Sequence, residues 1–151
     1  MGTKTRSIAN NLTTGLGAGK VLQKKTATFT SQDTVASSTE EVTGHSIAIT
    51  PVDSTSNIFV SCSFSGKNNT GGRSNTWQLR LTNASGTIIG KIRTGDASGG
   101  DTAMTIVVDG NHDHNTSSEI TYVLTHRTDG SGTITTNYFS DLVFTATEYL
   151  P

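Results

Sequence analysis

Short runs in which every second residue is apolar follow one another along most of this chain, with turn-forming residues between them. Trp77, Leu79 and Leu81 alternate with polar residues, which predicts a strand with a buried face. Gln78 and Arg80, which lie between them, are expected to point outward. A period of two constrains the fold strongly, because it places alternate side chains on opposite faces of a strand and is incompatible with an amphipathic helix.

The same pattern recurs often enough to predict an all-β fold of about eight or nine strands, namely a jelly-roll-like antiparallel β-sandwich. No fixed repeat separates the runs, so we expect a single sandwich over residues 20–151. The predicted strands cover residues 21–30, 45–50, 57–65, 76–82, 87–93, 102–108, 119–128, 133–139 and 142–149.

The composition fits a hydroxyl-rich surface over a thin core. The chain has 28 Thr and 17 Ser among 151 residues, and 32% of its residues are hydrophobic. Extra apolar residues at Ile89, Val107, Val123 and Val143 would be exposed on the second face of a monomer. We therefore predict a homotrimer, because association would cover such a face.

Charge and hydropathy argue against two classes of partner. The net charge is −1 and 15% of the residues are charged, so we expect no nucleic-acid partner. No run approaches the roughly 18 apolar residues of a membrane span, and we expect no membrane insertion. The single cysteine, Cys62, lies in an apolar run and is expected to be buried and inert.

Residues 1–19 differ from the rest and are expected to form an extended, flexible N-terminal arm. They contain no aromatic residue and too little apolar surface to offset the entropy of ordering. An arm of this kind can become ordered on a partner. Its expected attachment residues are Lys4, Arg6, Ile8 and Leu12.

The densest polar cluster spans residues 109–115 and includes His112, Asp113 and His114. Imidazole and carboxylate groups can bind Zn, Ni or Ca, and in an extended segment the two histidines would share one side. Asp113 would then point away, which leaves too few ligands for a closed site. We expect an exposed rim loop with no metal, and a metal site is the alternative.

No sequence pattern supports catalysis, so we expect a non-enzymatic protein without a cofactor. The chain has no Gly-x-Ser-x-Gly elbow, and its paired glycines lack the Lys-Ser/Thr ending of a phosphate loop. A small glycan hydrolase or a metal-dependent cupin is the enzymatic alternative. A cupin would need His45, His112, His114 and His126 to converge inside a barrel.

Several segments resemble a family of small virion structural and fibre-like proteins of tailed bacteriophages of the marine and cyanophage type. They are GKVLQ at 19–23, VTGHSIAITP at 42–51, SNIFV at 56–60, GDASGG at 95–100 and the stretch 120–137. The similarity spans roughly residues 19–149, and SIANNLTTGLG in the arm is similar to leader segments of such proteins. The His-Asp-His sequence departs from the family pattern.

The resemblance implies a virion protein, made in the host cytoplasm and carried on the particle. The first reading is a trimeric capsid decoration (cement) or head-fibre protein, anchored to a phage capsid or tail protein by its arm. The alternative is a tail-fibre or receptor-binding tip that adheres to host surface glycans. The candidate receptor-facing residues lie in loops: Asn68, Arg73, Asn75, Asp96 and Asp101.

Overall fold

The computed structural model describes residues 19–68, 74–95, 102–129 and 132–151, and over these ranges the chain forms ten β-strands and no helix. Accordingly, no helix in these ranges could cross a membrane. The strands are β1 (Val21–Phe29), β2 (Asp33–Val35), β3 (Glu41–Ile49), β4 (Asn57–Asn68), β5 (Ser74–Leu81), β6 (Ile88–Gly95), β7 (Thr102–Asp113), β8 (Ile120–Thr128), β9 (Ile134–Thr136) and β10 (Leu142–Tyr149).

The strands form two antiparallel sheets, which confirms the predicted all-β sandwich. The larger sheet has the order β1-β10-β4-β9-β2, and β7 pairs with the other edge of β4. The smaller sheet has the order β3-β8-β5-β6. Between the sheets lies a core that includes Ile58, Phe64, Trp77, Leu124 and Phe144, each at most 1% exposed.

The two sheets contact each other along both edges of the sandwich. On one edge, the Lys25 ammonium donates to the Ala48 carbonyl at 3.1 Å and so links β1 to β3. On the other edge, β6 meets β7 at Gly90 and Gly110, where a Cβ atom on either glycine would lie about 2 Å from a backbone oxygen of the other strand. Only glycine permits this approach, because any side chain would overlap the opposing backbone.

Strand directions define two poles of the sandwich. The register places Val21, Tyr149, Asn57 and Asp113 in one row across the larger sheet, beside Gly19, and we call this end the Gly19 pole. We call the other end the Asn68 pole, where Asn68 pairs with Thr102 and where β5 begins and β6 ends. At this pole β7 also begins and β8 ends.

Some sequence-based expectations about exposure were wrong. Gln78 is 3% exposed, because it lies in a central strand with Lys91 and Thr125 directly beside it. Val123 is 5% exposed in β8, which is also flanked on both sides. Val107 and Val143 are exposed on the outer face of the larger sheet, as expected. Period-two patterns assign a residue to a face but do not reveal what covers that face.

Candidate functional site

The segment that contains the two histidines forms the end of a strand. Residues 109–113 belong to β7 and pair with residues 57–61 of β4, so the expected rim loop is wrong. His112 is partly buried and His114 is 3% exposed, whereas Asp113 is exposed. The two imidazoles thus share the inner side, as the extended pattern predicted. Gly110 and Asn111 are typical of turns, but the twelve-residue pairing with β4 decides their conformation.

His112 is held by Tyr122 beneath it. The Tyr122 hydroxyl lies 2.8 Å from His112 Nδ1, and the two rings meet edge to face. Tyr122 is fully buried, and its hydroxyl shares one hydrogen bond with Nδ1, in which the donor is set by the tautomer of the imidazole. Burial, and secondarily the neighbouring His114, lowers the pKa of His112.

His114 belongs to a buried network with Ser56 and Glu148. The Ser56 hydroxyl donates to Glu148 Oε1 at 2.6 Å, and its oxygen lies 3.1 Å from His114 Nε2. The other nitrogen of His114, Nδ1, lies 3.0 Å from the Thr116 carbonyl. The network joins β10, the residue that follows β7 and the segment before β4 at the Gly19 pole.

Glu148 is fully buried, and its carboxylate accepts several hydrogen bonds. The backbone amides of Val52 and Asp53 donate to Oε1 at 2.9 Å and 3.0 Å, and the Gln23 amide donates to Oε2 at 2.6 Å. Burial alone would raise the pKa of Glu148, but the hydrogen bonds, led by that from Ser56, outweigh burial and leave the pKa below its usual value. Glu148 therefore holds the 50–56 segment against β10.

This arrangement differs from a catalytic triad, in which the histidine stands between the nucleophile and the carboxylate. Here the serine stands between the other two groups, and Ser56 is 0% exposed. Cys62 is also fully buried, as predicted, and burial raises the pKa of its thiol. Neither group is placed to attack a substrate in solution.

A cavity of about 490 Å³ opens beside these histidines at the Gly19 pole. Its polar rim includes Asp113 and Glu119, both exposed, and its apolar part includes the half-buried Leu81 and Ile120. Thr82 also lines the cavity and has a φ of 66°, a conformation that is strained for a β-branched residue. The remaining lining residues are His112, His114, Asn115, Thr116 and Thr121.

The ranges that the structure describes contain no group of three or more His, Cys, Asp or Glu side chains placed to hold a metal ion. The rings of His112 and His114 lie 6.0 Å apart, with Nδ1 of each already hydrogen-bonded. Asp113, which lies between them in the sequence, is exposed.

Most other predicted site residues are not brought to this cavity. The arm residues Lys4, Arg6, Ile8 and Leu12 and the loop residues Arg73, Asp96 and Asp101 lie outside the described ranges. Asn68 and Asn75 are each 1% exposed within β4 and β5, so the prediction that these two face a receptor is wrong. Both strands extend further than their apolar alternation indicated.

Sequence reasoning also missed a polar centre inside the sandwich. His45 and His126 are each 1% exposed, and His126 Nδ1 lies 2.9 Å from Thr136 Oγ1, to which the Trp77 indole also donates. His45 alternates in phase with Ile47 and Ile49, a signal that could have placed it in the core.

Comparisons with known proteins give distant likenesses only. No protein-family model matches the chain, and no curated protein matches its sequence. Among solved structures, the infectious bursal disease virus VP2 subviral particle matches with 13% identity and a TM-score of 0.43, over 87% of this chain and 38% of that one. The infectious bursal disease virus Gx strain matches with 12% identity and a TM-score of 0.33, over 85% of this chain and 38% of that one.

A third similar structure, an arabinose-bound α-L-arabinofuranosidase, matches with 14% identity and a TM-score of 0.31, over 89% of this chain and 23% of that one. This chain therefore spans well under half the length of each of these proteins. Two of the three come from a virus and one is an enzyme. At these identities and TM-scores, the likenesses carry no argument about what this chain does.

Proposed function

We propose that this chain is a non-enzymatic virion structural protein of a tailed bacteriophage. In this proposal it is a trimeric capsid decoration or head-fibre protein that residues 1–19 anchor to a capsid or tail protein. The observation that carries the proposal is the polarity of the sandwich. The chain enters β1 from Gly19 at one pole, whereas β4, β6 and β8 end and β5 and β7 begin at the other. A protein attached at the first pole would display the second.

The sequence supports the same reading, because the segments that resemble phage virion proteins lie at the framework of the sandwich. GKVLQ begins β1, and VTGHSIAITP contains most of β3 with the bulge at Gly44, whose φ is +70°. SNIFV begins β4, the strand that joins β10 to β7. The burial of Ser56 and Cys62 supports a non-enzymatic role.

The trimer is supported by the outer face of the larger sheet. Phe59, Val107 and Val143 are 38%, 49% and 36% exposed there, among serine and threonine residues with few charges. Ser63 lies directly between the two valines in the register, whereas Phe59 lies four residues away along β4. Association through this face would remove these apolar side chains from water.

Two measurements test the proposal. Sedimentation at micromolar concentration should give a mass near three times 15.8 kDa, and a mass near 15.8 kDa would contradict the trimer. Cryo-electron microscopy of the whole particle should show the protein at its surface. Deletion of residues 1–19 should leave the trimer folded and abolish its incorporation, and normal occupancy by the truncated protein would move the anchoring role to the sandwich.

A tail-fibre or receptor-binding tip that adheres to host surface glycans is the second candidate. It is favoured by the exposed aromatic pair Tyr138 and Phe139, which are 38% and 60% exposed. Ser65 Oγ accepts hydrogen bonds from the backbone amides of Phe139 and Ser140, so the pair is held in place. Phe139→Ala should then weaken adhesion to host cells without changing occupancy on the virion. Unchanged adhesion would remove the support that this pair gives.

A further inference from the structure

The cavity at the Gly19 pole has the chemistry of a site for a basic side chain. The carboxylates of Asp113 and Glu119 lie at its rim, and its lining residues include neither lysine nor arginine. Leu81 and Ile120 give it an apolar part. Lysine and arginine combine an aliphatic stem with a charged end, so they can fill both parts of such a cavity at once.

The chain itself carries basic residues in the segment that precedes Gly19. Residues 1–18 precede Gly19, whose amide donates to the Leu150 carbonyl at 2.7 Å, and they include Lys4 and Arg6. Fourteen residues separate Lys4 from Gly19, enough to span up to about 50 Å when extended. The charge and the length of this segment therefore suit the cavity.

The arm junction and the cavity lie on opposite sides of this pole. Gly19 continues into β1, at one edge of the larger sheet, whereas Asp113 ends β7, at the opposite edge. Val21 and Asp113 are separated by three strand spacings, or about 14 Å. If one copy gives its arm on one side and receives another copy's arm on the other, the contact is head-to-tail. Such contacts close into a ring when the rotation between successive copies is right.

We infer that the cavity lined by Asp113 and Glu119 receives the basic residues Lys4 and Arg6 from the arm of a neighbouring copy. Each copy then donates its arm across one edge and accepts another across the opposite edge, and a closed ring is completed. This inference rests on the proposed trimer, which associates through the outer face of the larger sheet, and names a second contact that strengthens the association of its subunits.

Disulfide trapping tests the contact directly, because the native Cys62 is fully buried. Lys4→Cys protein is mixed with Glu119→Cys protein under mild oxidation, and the expected product is a covalent heterodimer that forms at least about fivefold faster than a matched control. The control replaces Glu119→Cys with Asp129→Cys, an exposed carboxylate next to β8 at the Asn68 pole. A tenfold increase in salt should slow the trapping, since exposed charges are screened.

A double variant, Lys4→Cys with Glu119→Cys, separates the neighbour's arm from the chain's own arm. Oxidised at low concentration, it should remain largely reduced, whereas at high concentration it should form covalent oligomers. Rapid closure within one chain at nanomolar concentration would overturn the proposal and assign the cavity to the chain's own arm. Equal trapping of Glu119→Cys and Asp129→Cys would also overturn it.

Charge variants test the arm contact separately from the existence of the trimer. Asp113→Asn with Glu119→Gln, and separately Lys4→Gln with Arg6→Gln, should each weaken association about fivefold or more in sedimentation equilibrium, with unchanged circular dichroism. If wild type and both variants are equally stable trimers, the trimer stands and the arm contact is wrong. If wild type is a monomer, the trimer is wrong and the arm contact falls with it.

Discussion

Gly90 and Gly110 contact each other's strands backbone to backbone, at the edge where the two sheets meet. A Cβ on Gly90 would lie 2.0 Å from the Asp109 oxygen, and a Cβ on Gly110 would lie 2.1 Å from the Ile89 oxygen. The relationship is reciprocal, so neither side can yield without moving a strand.

We therefore expect Gly90→Ala and Gly110→Ala each to lower the free energy of unfolding by at least about 2 kcal/mol. Gly95→Ala is the matched control in the same strand as Gly90, because no atom of the described residues lies within 4 Å of its added Cβ, and it should change stability little. Urea denaturation followed by Trp77 fluorescence measures all three. Equal effects at Gly90 and Gly95 would show that the strands are not in close contact.

Glu148 should make stability depend on pH in the acid range. Its folded pKa lies below the usual value of 4.5, so the stability it contributes is fully present above that pH and is lost as the pH falls through the lower folded value. Glu148→Gln should lower the free energy of unfolding by about 2–3 kcal/mol at pH 7. The difference from wild type should shrink towards pH 3 in denaturant titrations. A difference that stays constant with pH would contradict this account.

His126 should remain neutral well below the usual pKa of histidine. Burial, opposed in part by Asp33, lowers its pKa from 6.5 to about 4. A folded pKa below the unfolded one means that stability is complete above pH 6.5 and declines as the pH falls from 6.5 towards 4, by about 1.4 kcal/mol per pH unit. The imidazole resonances of His126 should titrate with a midpoint near 4. A midpoint near 6.5 would show that water reaches the ring.

The protein should be more stable with glycine at position 82, because the φ of 66° at Thr82 is strained for a β-branched residue. We expect Thr82→Gly to raise the free energy of unfolding by up to about 1 kcal/mol. Thr87→Gly provides the control in the same connection, since Thr87 is not among the residues with positive φ, and it should destabilise by about 0.5 kcal/mol or more. Thermal denaturation of both variants gives the comparison. If both variants are less stable than wild type, the Thr82 side chain contributes to stability through its contacts at the cavity.

Strand alternation predicted much of this fold. β10 is predicted at 142–149 and forms there, and the consecutive strands predicted at 76–82 and 87–93 correspond to the paired strands β5 and β6. β2 was missed because three residues, Asp33–Val35, are too few to show a period, and only their pairing with β9 makes them a strand. Long-range pairing is a tertiary effect that local pattern does not contain.

The site was less predictable than the fold. The alternation placed His112 and His114 on one side, but their partners are distant in sequence, with Ser56 fifty-eight residues before His114 and Glu148 ninety-two residues after Ser56. Burial of Glu148 could not be foreseen, because an isolated carboxylate in a strand is typical of an exposed face. It becomes favourable only when the amides of residues 52 and 53 donate to it.

The direction in which β1 leaves the sandwich has a mechanical consequence. β1 runs antiparallel to β10 with eight register pairs, and the chain enters it from Gly19 in line with the strand. Tension applied through Gly19 along β1 would load these pairs together, in shear, and could not open them one at a time. Rupture would then require the ladder to slip as a unit, so a subunit pulled at this point should resist detachment far better than one pulled sideways from the strand edge.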